Sequence, residues 1–167
     1  MLGGFARMAG IDYSKLHESE SVHLLLGRRV PVAELRTHFI EAGFVEEDDF
    51  FFLPRQDGQH PWQSEDIVTA DFFDGDQQVD CEGICDRVHF SYLFASLPAT
   101  HIATFISTLG WFRGALGGEL EHRSEKLDPD GVRSKFDGYL RDLIDEIYEQ
   151  PGSESLAILI QDSYPRR

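Results

Sequence analysis

The residues best suited to chemistry lie in two neighbouring stretches. In Asp71-Phe72-Phe73-Asp74-Gly75-Asp76-Gln77-Gln78-Val79-Asp80 four carboxylates fall within ten positions. A hard cation such as calcium or magnesium takes several carboxylate oxygens converging from a turn. The spacing does not match a calcium loop, because Gly75 directly follows Asp74 and no glutamate stands at the required distance beyond it. A hairpin turn accounts for the segment more simply. Next along the chain, Cys81, Cys85 and His89 form the one grouping of soft ligands, with His101 the nearest supplement. Structural zinc asks for four such ligands. Small buried thiols at a strand edge are the plainer expectation, and no metal or cofactor is expected.

Catalysis by a nucleophile and base, or by two carboxylates in unlike environments, leaves no clear pattern here. Histidines 17, 23, 38, 60, 89, 101 and 122 are scattered singly, and Gly114 to Gly118 lacks the lysine and hydroxyl residue of a phosphate-binding loop. An active site, if the chain had one, would be sought at the corner between His89 and His101.

Charge is the stronger signal. The formal net charge is −15, and residues 31 to 96 supply −12 of it, from fifteen acidic and three basic side chains. A field of that sign repels nucleic acid phosphates and anionic lipid, so neither nucleic acid nor a membrane surface is an expected partner. It attracts a basic protein. The candidate binding surface is Glu46, Glu47, Asp48, Asp49, Asp57, Asp71, Asp74 and Asp76, continued by Asp80, Glu82 and Asp86. Trp62, in a proline-containing loop inside this segment, is the candidate apolar anchor. The competing reading is a solvated acidic face that aids solubility, with Trp62 folded back over the sheet.

These residues need elements to hold them. Val22 to Leu26 reads as a buried strand, Pro31 to Ala42 as a helix closed by Gly43, and Phe50 to Leu53 as a strand following an acidic turn, Glu46 to Asp49. Residues 54 to 66 read as a loop, and Ile67 to Phe73 as a strand that turns at Asp74-Gly75-Asp76 into Gln77 to Glu82. Val88 to Leu97 alternates cleanly, with Val88, Phe90, Tyr92 and Phe94 on one face. Pro98 opens a second helix that ends at Gly117-Gly118; Glu119 to Arg123 is a short strand, Asp128-Pro129 starts a long third helix, and Leu156 to Ile160 is a last strand. The order implies an α+β fold, a mostly antiparallel sheet of five to six strands with about three helices packed on one face. Residues 1 to 21 are expected to form a polar, mobile leader and 22 to 167 one domain.

No apolar run is long enough to cross a bilayer as a helix, and two cysteines fit a reducing compartment, so a soluble cytoplasmic protein is expected. The preferred functional reading is an acidic intracellular protein-binding module, of the inhibitor or immunity type, that neutralises a basic partner. The alternatives are a divalent-cation-dependent hydrolase using the Asp71 to Asp80 segment, and a scaffold subunit acting as a homo-oligomer.

Overall fold

Alternation along single strands sets the architecture. In β6 (Ile84–Leu93), Val88, Phe90 and Tyr92 are fully buried, whereas Arg87, His89, Ser91 and Leu93 stay half-buried. Successive side chains on a strand point to opposite faces, so this sheet has one face in the core and another outside it. The computed structural model describes residues 19–55, 66–93 and 101–149. The elements are β1 (Ser19–Pro31), α1 (Val32–Glu41), β2 (Val45–Glu47), β3 (Phe50–Pro54), β4 (Asp66–Asp74), β5 (Gln77–Val79), β6, α2 (His101–Leu116), β7 (Glu119–His122), β8 (Glu125–Leu127) and α3 (Pro129–Glu149).

The strands form one eight-stranded sheet in the order β2-β3-β4-β6-β1-β7-β8, with β5 also paired to β4, and every pairing is antiparallel. Cross-strand register carries the inside-outside pattern across the sheet: Phe51 pairs with Ala70, Ala70 with Phe90, Phe90 with Val22, and Leu24 with Leu120. All six are buried. The three described helices cover that face. Phe39 of α1 packs on Phe51, Phe72 and Phe90; Phe105 and Phe112 of α2 pack on Tyr92 and Phe90; Phe136 of α3 stacks on Phe105.

Helix ends follow local chemistry. At the end of α1 the Phe44 N–H donates to the Phe39 carbonyl and the Gly43 N–H to the Ile40 carbonyl, with Gly43 at φ 88°. This is the Schellman arrangement, and its usual apolar contact is made by the Phe39 and Phe44 rings, 5.2 Å apart. Asp128 caps α3 by accepting the Gly131 N–H at 2.7 Å, one residue before Pro129 opens the helix.

The sheet is larger than the five to six strands expected, because two strands lie where no turn signal marks them. Glu46 and Glu47, expected in an acidic turn, belong to β2, and the turn shrinks to Asp48 and Asp49. The β7–β8 hairpin turns through Arg123 and Ser124 at φ 49° and 66°. That loop normally takes asparagine or glycine, so its sequence hides it. β1 begins at Ser19, inside the segment read as a leader, and runs on to Pro31 past an irregularity between Leu25 and Val30 that contains Gly27 at φ 73°. The strand expected at Leu156 to Ile160 lies outside the described residues.

Two glycines near the end of α2 should respond oppositely to alanine. A Cβ at Gly118 (φ 92°) would sit 2.2 Å from the Leu25 carbonyl oxygen, whereas one at Gly114 meets nothing within 4 Å. Gly118→Ala should cost on the order of 3 kcal/mol, and Gly114→Ala should add up to about 1 kcal/mol. Urea unfolding of the two variants checks both signs.

Candidate functional site

The acidic residues do not form one patch. β2 and β3 are joined by a tight hairpin that leaves Glu46, Glu47, Asp48 and Asp49 exposed at the sheet edge, with Asp48 itself at φ 32°. Glu46, opposite buried Phe51, points towards the helical face, where Arg36 of α1 grips both its carboxylate oxygens at 2.9 and 3.0 Å. Glu82 lies 3.9 Å from the same guanidinium. Burial first, and then the carboxylates of Glu46, Asp49 and Asp80, push the Cys81 thiol above its ordinary pKa. Two acidic residues of the β2–β3 hairpin, Glu46 and Asp49, and two of the turn after β5, Asp80 and Glu82, thus surround Arg36 and Cys81.

A second group forms at the β4–β5 turn. Asp74 is held by Arg29 through contacts of 2.7 and 3.3 Å, and Asp86 accepts from the Gly75 N–H and from Arg87 Nε at 3.0 Å. The Arg87 bond is the main cause that holds the Asp86 carboxyl below its ordinary range. Asp76 is exposed at the far side of the turn, and Asp80 accepts the Glu82 N–H within its own turn. Asp71 lies apart, on the face of the sheet away from the helices, where Gln78 donates to it at 3.4 Å. Asp71, Asp74, Asp76 and Asp80 therefore do not converge, and among the described residues no three of His, Cys, Asp and Glu gather as ligands. Asp57 and Trp62 lie outside the described residues.

Neither cysteine is an activated thiolate. Cys85 is fully buried, and burial, followed by the nearby Asp86 and Asp74 carboxylates, pushes its thiol up to about 11. His89 lies on the sheet face opposite α2, which separates it from His101 at the first residue of that helix.

His89 has a different neighbour. It stands directly across from His23 of β1, with ring centroids 4.7 Å apart, and Phe73 packs edge-on against it at 5.4 Å. Both imidazoles are half-buried, and their Nδ1 atoms are buried without a hydrogen-bond partner. Burial lowers both pKa values from 6.5; for His23 the charges of His89 and Arg87 lower it further while Glu121 opposes them. Burial alone raises the Asp71 carboxyl above its ordinary value. Asp71 faces His89 across β4 and β6, and Ser91 and Ser21, whose hydroxyls are 3.2 Å apart, follow the two histidines on the same face. Serine, histidine and aspartate are thus near one another, but no hydrogen bond links His89 Nδ1 to an orienting carboxylate. The proton relay that activates a nucleophile is not assembled. What the group does offer is an imidazole pair that burial biases towards the neutral form, flanked by carboxylates on a sheet face that no described helix covers. Sequence reading places His23, Asp71, His89 and Ser91 in strands but leaves Ser21 in the leader, and it cannot align His23 with His89.

A third cluster ties the structure together. His122, 2% exposed, donates from Nδ1 to the Ser21 carbonyl at 2.8 Å, which leaves Nε2 to accept from the Tyr139 hydroxyl at 3.2 Å. Glu20 Oε2 lies 3.5 Å from the same nitrogen, and the other Glu20 oxygen pairs with Arg123, whose guanidinium sits 4.7 Å above the Tyr139 ring. This joins β1, the β7–β8 hairpin and α3. The histidine is too buried to meet a substrate, so its role is to clamp.

No protein-family model matches the chain, and no curated protein matches its sequence.

Two measurements follow. Because His23 and His89 titrate lower in the folded chain than in the unfolded one, they cost nothing above about pH 6.5 and destabilise the fold as pH drops below that value. The urea midpoint should fall between about pH 7 and 5.5, and this fall should shrink in His23→Gln and His89→Gln. Asp71 acts in the opposite sense, since protonation relieves its burial, but in the lower carboxylate range. Separately, Tyr139→Phe leaves His122 Nε2 without its donor and should lower stability by about 1–3 kcal/mol in the same unfolding assay.

Proposed function

We propose that the chain is an acidic protein-binding module working inside the cell, of the inhibitor or immunity type, that neutralises a basic partner by covering its functional surface. The observation that carries this reading is the β2–β3 hairpin. Its carboxylates Glu47, Asp48 and Asp49 are exposed and have no counter-ion among the described residues, while Glu46, Asp74 and Asp86 are tied to arginines of the chain itself. Unpaired like charges weaken the isolated fold, and a partner that brings the opposite sign relieves them. Phe50 and Phe52, 6.1 Å apart and half-buried, continue from the hairpin and provide apolar surface beside it. Aromatic groups of this kind slow dissociation, and exposed charge speeds encounter.

The test has two stages. Tagged protein is used to capture a stoichiometric partner from lysate of the source cells at low and raised salt; a basic protein released by salt supports the reading, and retention indifferent to salt counts against it. Association and dissociation rates are then measured with that partner. Asp48→Asn keeps a residue that tolerates the positive φ, and combined with Asp49→Lys it should slow association about tenfold at low salt while changing release little. Equal effects on both rates would remove the steering role assigned to the hairpin.

A further inference from the structure

The sheet face opposite the helices carries a line of polar groups from one edge to the other. Register places Glu47 beside Phe50, Asp71 beside His89, His89 beside His23, His23 beside Glu121, and Glu121 beside Lys126. Among the described residues, ring contacts on this face run between its own strands: Phe50 with Phe52, His23 with His89, and Phe73 with both histidines. No described helix packs on it, since the helix rings named above all meet the Phe72, Phe90 and Tyr92 side.

Its charges are one-sided in what they leave unmet. Lys126 is 2.5 Å from Glu119 and Arg87 is 3.0 Å from Asp86, so these two cations of the face, among the described residues, are already engaged. Glu47, Asp71 and Glu121 have no ion-pair partner among the described residues. Between them lie phenylalanine and imidazole rings. Long basic side chains suit such a surface, because their aliphatic stems cover rings while their heads reach carboxylates. A second copy of the chain would bring the same unpaired carboxylates to the contact and be repelled.

We propose that this face is where the partner docks, that its occupant is a lysine- or arginine-rich segment lying across the Glu47–Asp71–Glu121 row, and that the central His23–His89 pair confines docking to neutral and higher pH. The proposal rests on the reading of the chain as a binder of basic protein and assigns that binder its surface. The pH limit follows from position. Protonation would place two positive charges between Asp71 and Glu121, next to Arg87, with His122 behind on β7, and would leave each Nδ1–H facing no acceptor. A cationic segment is then repelled from the centre of its own track.

The experiment is an NMR titration of the full chain with a Lys/Arg decapeptide at low salt, at about pH 7.5 and about pH 5.5, with thermal melts confirming that each sample is folded. At the higher pH the expected shifts fall on Ser21, His23, Thr69, Asp71, Arg87 and His89, and Kd weakens about tenfold or more at the lower pH. In His23→Gln/His89→Gln the ratio of the two Kd values falls towards one, whatever the affinity itself; either single variant serves if the double one does not fold. Shifts confined to the β2–β3 hairpin and β4–β5 turn overturn the docking face and leave the basic-partner reading standing. A Kd indifferent to pH, or a pH dependence that survives in the histidine variants, overturns the imidazole gate. A folded chain that binds the peptide nowhere at either pH overturns this proposal and the functional reading together.

Discussion

The ring of Phe39 is the contact on which the rest of the molecule depends. It lies between 4.5 and 6.2 Å from the rings of Phe44, Phe51, Phe72, Phe90 and Phe112, which come from the loop after α1, from β3, β4 and β6, and from α2. Aromatic pairs at these separations contribute beyond the area they bury. Because each strand alternates, fixing Phe51, Phe72 and Phe90 towards Phe39 also fixes Phe52, Phe73 and His89 away from it. The outer face is therefore a consequence of the core. A one-residue slip would exchange the two sets, and burying His89, Asp71 and Arg87 beneath the helices would cost far more than the packing could return.

Electrostatics then distinguish parts of a uniformly acidic sequence. Arginines 29 and 87 each take one carboxylate of the acidic segment, Arg36 takes Glu46 with Glu82 3.9 Å away, and the three come from different elements. Exposed pairs of this sort add little stability. Their effect is on distribution, since they cancel charge near α1 and the β4–β5 turn and leave it at the β2–β3 hairpin and along the outer face. Net charge read from composition could not reveal this, because it depends on which arginine reaches which carboxylate.

What was legible in the sequence follows the range of the interactions involved. The Gly43 cap, the Asp128-Pro129 helix start, the turn at Asp74-Gly75-Asp76 and the alternation of β6 are local, and each is readable over a few residues. β2 and β8 were missed because three-residue strands owe their existence to neighbours: β2 to Phe50–Phe52 and β8 to Leu120–His122. Candidate residues fared likewise. Glu46 was recognised as acidic surface, but its capture by Arg36 is a contact between a helix and a strand edge. The His23–His89 pair joins residues far apart in the chain, and nothing short of the β1–β6 register brings them together.

That pair also constrains what the outer face can be. A face meant only to keep the protein soluble would be served by lysine and glutamate, whose charges stay in water. Here the central strands instead carry imidazoles with buried, unpartnered Nδ1 atoms beside Phe73, and a carboxylate that burial makes harder to ionise. Buried polar atoms without partners cost stability. The β7 end of the same sheet shows that this sequence can satisfy a histidine fully, as it does for His122 with Ser21 and Tyr139. It is the unmet Nδ1 atoms of His23 and His89, set against a fully satisfied His122, that distinguish the proposed docking face from the β7 end of the same sheet.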